Sequence, residues 1–237
     1  MGDALIDVSV NPLQFLEVDE PWAKLPELEL TPESVIAFLC TPGIKTELSS
    51  LADRYREIST EPKRLFAAPA EPRILEKLVW PLRHAKASYM VGNYLGTISL
   101  CGMVAEMVAG LIFDMGEIRM NDKPIKEQEQ KYLFGSTFEK LSQNRRTEVL
   151  SAYGLIDVEM RAELDLIRTK RRRYLHLWSQ DHELLPGDAR ETYHAAVGIV
   201  VRTLGQDVKD GKILLSPQLL KYLDRKGLYK PTGEDGD

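Results

Sequence analysis

Cysteine is almost missing: Cys40 and Cys101, 61 positions apart, are the two thiols in 237 residues. That spacing fits no zinc or dithiol redox motif and excludes a disulfide-stapled scaffold, so both are expected as buried thiols in a reducing compartment. Histidine is scarce as well. His84, His176, His182 and His194 include no pair at helical ligand spacing. No His-Glu-x-x-His run, Gly-rich phosphate loop, Gly-x-Ser-x-Gly elbow or Cys/His cluster is present. Neither a metal nor a cofactor is therefore expected. Alternating strands of five or more residues and internal repeats are also lacking, which points to an all-α chain. The N-terminus, MGDALIDVSVNPL, has no basic region and no apolar stretch long enough for a secretory signal, so the expected address is the cytoplasm.

What is present is ordinary globular composition, 43% hydrophobic and 28% charged, which excludes global disorder and collagen. The net charge of −5 is unevenly placed. Residues 1–30 carry −6 and the last eight carry −2, which leaves +3 for residues 31–229. Within that middle, residues 161–176 (RAELDLIRTKRRRYLH) hold six basic and two acidic side chains. Such a run is either a solvated helix face or a phosphate-binding patch.

Proline divides the chain. Nine of thirteen fall within residues 1–81, so the first third must be short pieces joined by turns, while the rest can hold longer helices. Residues 1–70 are expected as an extension, an irregular arm over 1–30 followed by two short helices. The first opens at Thr31-Pro32-Glu33, an N-cap with proline at the first helical position; the second lies within Ile44 to Ile58. Residues 71–229 are expected as a bundle of four to five helices plus a C-terminal helix opened by Ser216-Pro217, and residues 230–237 as a disordered acidic tail. Pro81 must interrupt or restart the helix that begins near residue 72, Gly92-Asn93 breaks the next, and Pro186-Gly187-Asp188 precedes the last long one. Residues 116–135 fit a connection with one short helix. Residues 89–113 hold a single charge, Glu106, and are long enough to span a membrane. Several glycines and the mid-segment carboxylate oppose that reading, and a central helix wrapped by others has the same composition. No membrane association is expected.

On a helix, Met160, Leu164, Ile167, Arg171, Tyr174 and Trp178 follow one stripe. Arg171 thus sits among apolar residues, where a charge is expensive without a partner. It is either an arginine snorkelling at the core edge or one held near a cleft or subunit interface. Glu106, half-way along the most apolar stretch, is expected to be buried and to seek an arginine. Its plain role is a bundle-internal ion pair, and its functional one is to orient Arg171.

The stretch Arg171-Arg172-Arg173-Tyr174-Leu175-His176, together with AKASYMVGNYLGTISLCGMVAEMVAGL upstream, resembles the HEPN superfamily (higher eukaryotes and prokaryotes nucleotide-binding domain) over roughly residues 79–207. Those helical bundles carry an arginine, four to six residues and a histidine near the end of a late helix. The sequence departs from the family at Arg172, where a small polar residue is common, and at Trp178, where a subgroup of toxins has a modifiable tyrosine. The resemblance implies metal-independent RNA cleavage of the kind used by toxins and antiviral defence effectors. His176 would move the 2′-hydroxyl or leaving-group proton and Arg171 would neutralise phosphorane charge. Arg172 and Arg173 would hold flanking phosphates, with Glu106, Tyr174 and Trp178 in support. Five helical residues place Arg171 and His176 about 140° apart. They converge only where the helix ends between them or where two chains share a cleft, and the family implies the second, a homodimer. RNA or a nucleotide, and a cognate antitoxin or other partner protein, are the implied partners. A non-catalytic module of the same fold, binding nucleic acid, nucleotide or protein, is the alternative. Tyr174 and Trp178 are expected in the core or an interface rather than as base-stacking platforms.

Overall fold

The computed structural model describes residues 31–69, 71–120, 122–176, 181–205, 207–209 and 212–228. The arm over residues 1–30, Trp178 and the tail over 230–237 lie outside the described residues. The start signals act as read. Thr31 accepts from Ser34 N at 3.2 Å to open α1 (Pro32–Leu39), with proline in its first turn. α2 (Leu48–Ile58) follows and buries Ile58 completely against the main core.

Pro81 is accommodated rather than obeyed. The helical path runs from α3 (Pro72–Ile74) through a π-helical segment, Leu75–Val79, into α4 (Trp80–Met90). A proline ring crowds the carbonyl four residues earlier and supplies no donor to it. Widening the preceding turn to i→i+5 bonding absorbs both defects, so the helix continues instead of restarting. Gly92 then takes φ +78°, which lets the chain reverse, and Asn93 accepts from Gly96 N at 2.9 Å to cap α5 (Tyr94–Gly116).

α5 is the centre of the molecule. It packs against α4, then against α8 (Val158–His176) and α9 (Leu185–Leu204), and is also contacted by α7 (Gln143–Ala152) and α10 (Pro217–Arg225). It is long and apolar enough to cross a membrane by length and composition, and half of its most apolar window is buried within the bundle. Ile98, Cys101, Val104, Ala105 and Val108 are all fully enclosed. Both cysteines are free and buried as expected, and burial pushes the Cys101 thiol well above its usual range.

Residues 116–135 hold the one short helix expected, α6 (Glu127–Phe134), and before it a two-residue hairpin, β1 (Arg119–Met120) with β2 (Lys123–Pro124); a 3-10 turn at Phe138–Lys140 follows. β1 and β2 are antiparallel, with Arg119 opposite Pro124. A second antiparallel hairpin, β3 (Asp207–Lys209) with β4 (Lys212–Leu214), joins α9 to α10. The chain is all-α apart from these two ribbons among the described residues. Pro186 and Gly187 lie inside the first turn of α9 rather than before it, since a first-turn proline costs no helical hydrogen bond.

Candidate functional site

The geometry of α8 decides what its charges can do. Asp157 accepts from Met160 N at 2.7 Å and so starts the helix, which then runs unbroken to His176. Met160, Leu164, Ile167 and Tyr174 are its buried residues, the stripe expected from the sequence. Arg171 is on that stripe with its side chain 30% exposed, and it reaches across to α5, where Nη1 donates to Glu106 Oε1.

Gly102 makes this contact possible. A Cβ there would stand 2.5 Å from Arg171 Cδ, so only glycine lets the arginine stem lie flat on α5, one turn before Glu106. Glu106 itself is 30% exposed, not enclosed as the sequence suggested. The reason is that it also lines a cavity of about 400 Å³ beside Met107, Gly110, Leu78 and Tyr222. Arg171 Nε is buried without an acceptor, so the pair with Glu106 carries that guanidinium's charge compensation.

A second junction ties the same helix to α9. Asp188 Oδ1 accepts from Lys170 Nζ at 2.5 Å, and Oδ2 accepts from Tyr174 Oη at 2.6 Å and from Arg173 Nη1 at 3.2 Å. Burial alone would push the Asp188 carboxyl up; the hydrogen bonds from Lys170 and Tyr174 outweigh it and hold the group below the usual carboxylate range. Burial and the bond to Asp188 raise Tyr174. Lys170 also lies 2.9 Å from Glu191, and these bonds outweigh its desolvation and raise its pKa. Asp188 and Lys170 carry this junction, and no sequence pattern marks either of them. Asp188 looked like part of a turn because its partners are 14 to 18 residues earlier on another helix.

The expected site residues therefore divide. Arg171 and Glu106 come together. Arg173, expected on a phosphate, is engaged by Asp188, and Tyr174 is in the core at the same junction. Arg172 and His176 are exposed, and Arg172 has no ion pair among the described residues. Four residues apart on a continuous helix, these two side chains are neighbours on one face. His176 is the last described residue of α8. Arg171 and His176 do not converge within one chain, because the helix does not end between them. Among the other histidines, His182 packs edge-on to Tyr174 with ring centroids 5.9 Å apart, and His194 Nε2 lies 3.2 Å from the Ile58 carbonyl. No group of three or more potential metal-ligating side chains forms among the described residues. No protein-family model matches the chain, and no curated protein or solved structure matches it significantly.

Proposed function

We propose that the protein is a HEPN-type helical module that cleaves RNA without a metal ion and works as a homodimer, in the manner of toxin or antiviral effector nucleases. The observation that carries this reading is the exposed pair Arg172 and His176, one turn apart at the end of α8, beside an Arg171 fixed in place by Glu106. In the reaction His176 takes the proton of a ribose 2′-hydroxyl, whose oxygen attacks the adjacent phosphorus. The P–O5′ bond breaks as the leaving oxygen gains a proton from the partner subunit's His176, giving a 2′,3′-cyclic phosphate and a 5′-hydroxyl. Arg172 holds the phosphate next to His176, and Arg171 meets the developing charge from across the cleft. Because these groups point about 140° apart on one helix, two copies of α8 must face each other to close the cleft.

A second reading, a non-catalytic module that binds RNA, a nucleotide or a partner protein, is favoured by one observation. Arg171 and Arg173 already have carboxylate partners in the single chain. Incubating wild type, Arg171→Ala and His176→Ala with structured and single-stranded RNA in EDTA separates the two. The nuclease reading expects cleavage by wild type alone, with cyclic-phosphate ends and a loss on the order of a hundredfold or more in each variant. Binding without cleavage by all three establishes the second reading. A monomer in sedimentation at about 10 μM or above refutes the shared cleft.

A further inference from the structure

A second concave site lies away from α8. The loop over residues 60–69, α4 and α9 line an open cleft of about 340 Å³, large enough to seat a single-ring molecule. Its floor is apolar, made of Leu82, Val197 and the ring of Tyr193, all at least 95% buried. Its walls carry three cations, Arg64, Arg83 and Lys86, against one carboxylate, Glu61.

The Glu61–Lys86 pair is incomplete. Nζ stands 3.7 Å from Oε1, beyond hydrogen-bond reach, although the two side chains are only 11% and 19% exposed. Lys86 is held instead over aromatic faces, 4.7 Å from the Tyr55 ring centroid and 5.9 Å from that of Tyr193. Glu61 Oε2 is buried with no donor at all. Arg64 and Arg83 stand exposed at the mouth without an ion pair among the described residues. A buried carboxylate oxygen without a donor, beside an ammonium whose donors are uncommitted, is a site that a third group completes.

We infer that this cavity binds a small molecule with a flat apolar body, one anionic group and one N–H or O–H donor. The body lies on Leu82, Val197 and Tyr193; the donor reaches the Glu61 carboxylate; the anion, a phosphate or a carboxylate, is held by Lys86, Arg64 and Arg83. No residue of α8 lines this cavity, so the inference stands apart from the nuclease reading.

The test titrates full-length protein with 4-aminophenyl phosphate, 4-aminobenzoate, phenyl phosphate and aniline, following the methyl resonances of Val79, Leu82 and Val197 by NMR. Saturable shifts are expected with one or both of the two probes that combine donor and anion, and the responding probe names the anion. If it is the phosphate, phenyl phosphate should bind about tenfold more weakly for want of the donor; aniline should not saturate. Arg64→Ala and Arg83→Ala, both on the surface and harmless to folding, should each weaken binding about tenfold. The inference fails if none of the probes moves these methyls up to about 10 mM. It fails equally if both arginine variants bind as wild type does, because the anion would then not lie at this mouth.

Discussion

Replacing Glu106 by glutamine tests the contact that holds the motif helix to the bundle. The charge pair is neither enclosed nor free: each side chain is 30% exposed. Fully exposed pairs contribute about 0.2–1 kcal/mol, and removing one partner from a buried pair costs about 3–5 kcal/mol. Burial on one side only, with Arg171 Nε already lacking an acceptor, places Glu106→Gln between these limits, at about 1.5 kcal/mol. For a chain of this length that is a fall in Tm of roughly 3–6 °C. Arg171→Met should cost a similar amount, and the double variant little more than either alone, so the coupling energy is about 1 kcal/mol. Gly102→Ala reaches the same contact by geometry: its Cβ would stand 2.5 Å from Arg171 Cδ and force the arginine off α5. It should therefore be destabilising in wild type and much less so in an Arg171→Ala background, which removes Cδ. Urea denaturation at pH 7 on the full set measures these terms. A coupling energy below about 0.3 kcal/mol would refute the reasoning, because the pair would then be no more than two solvated charges.

Asp188→Asn should destabilise by about 2 kcal/mol at pH 7, less than a fully buried pair because Lys170 retains Glu191. Since the folded carboxyl is held below its unfolded value of about 3.9, its contribution is complete above that pH and is lost as pH falls through the folded value. The stability gap between wild type and variant should thus be flat above about pH 5 and shrink in acid; a gap that widens in acid contradicts the assignment. Arg172→Ala should lower the salt slope of single-strand RNA binding by roughly 0.7, the share of one neutralised phosphate, whereas Arg173→Ala should leave the slope near wild type. Equal slopes for both variants would show that Asp188 does not withhold Arg173 from phosphate.

The parts legible in the sequence were those governed by near neighbours. The buried stripe from Met160 to Tyr174 follows from the 3.6-residue period, and the helix starts at Thr31 and Ser216 each satisfy a backbone N–H three residues away. Pairing of a mid-helix carboxylate with an arginine was foreseeable from the cost of isolating either one; the exposure of Glu106 was not, because it depends on a cavity assembled from three other segments. Pro81 and Pro186 misled for opposite reasons. One is absorbed by a wider turn and the other sits where its missing N–H is not needed. The two hairpins are too short to show a period of two. Gly102 counted in the sequence only as a residue out of place in a membrane span, and its actual work, making room for Arg171, is visible only once α8 lies against α5.

The largest revision concerns charge. Residues 161–176 read as a patch of six basic side chains, yet most of them are spoken for. Arg161 and Arg168 flank Asp165, Lys170 and Arg173 converge on Asp188, and Arg171 lies on Glu106. What remains on α8 without a carboxylate partner among the described residues is Arg172, with His176 beside it. A cationic run on one helix therefore serves two ends at once: Lys170, Arg171 and Arg173 brace α8 against α5 and α9, while Arg172 and His176 are exposed without a carboxylate partner among the described residues. A rigid helix is the better mount for a proton-transferring histidine, since its position then follows from packing rather than from a loop. By the same token one α8 offers a single arginine without a carboxylate partner among the described residues, and the dimer proposed above would bring a second.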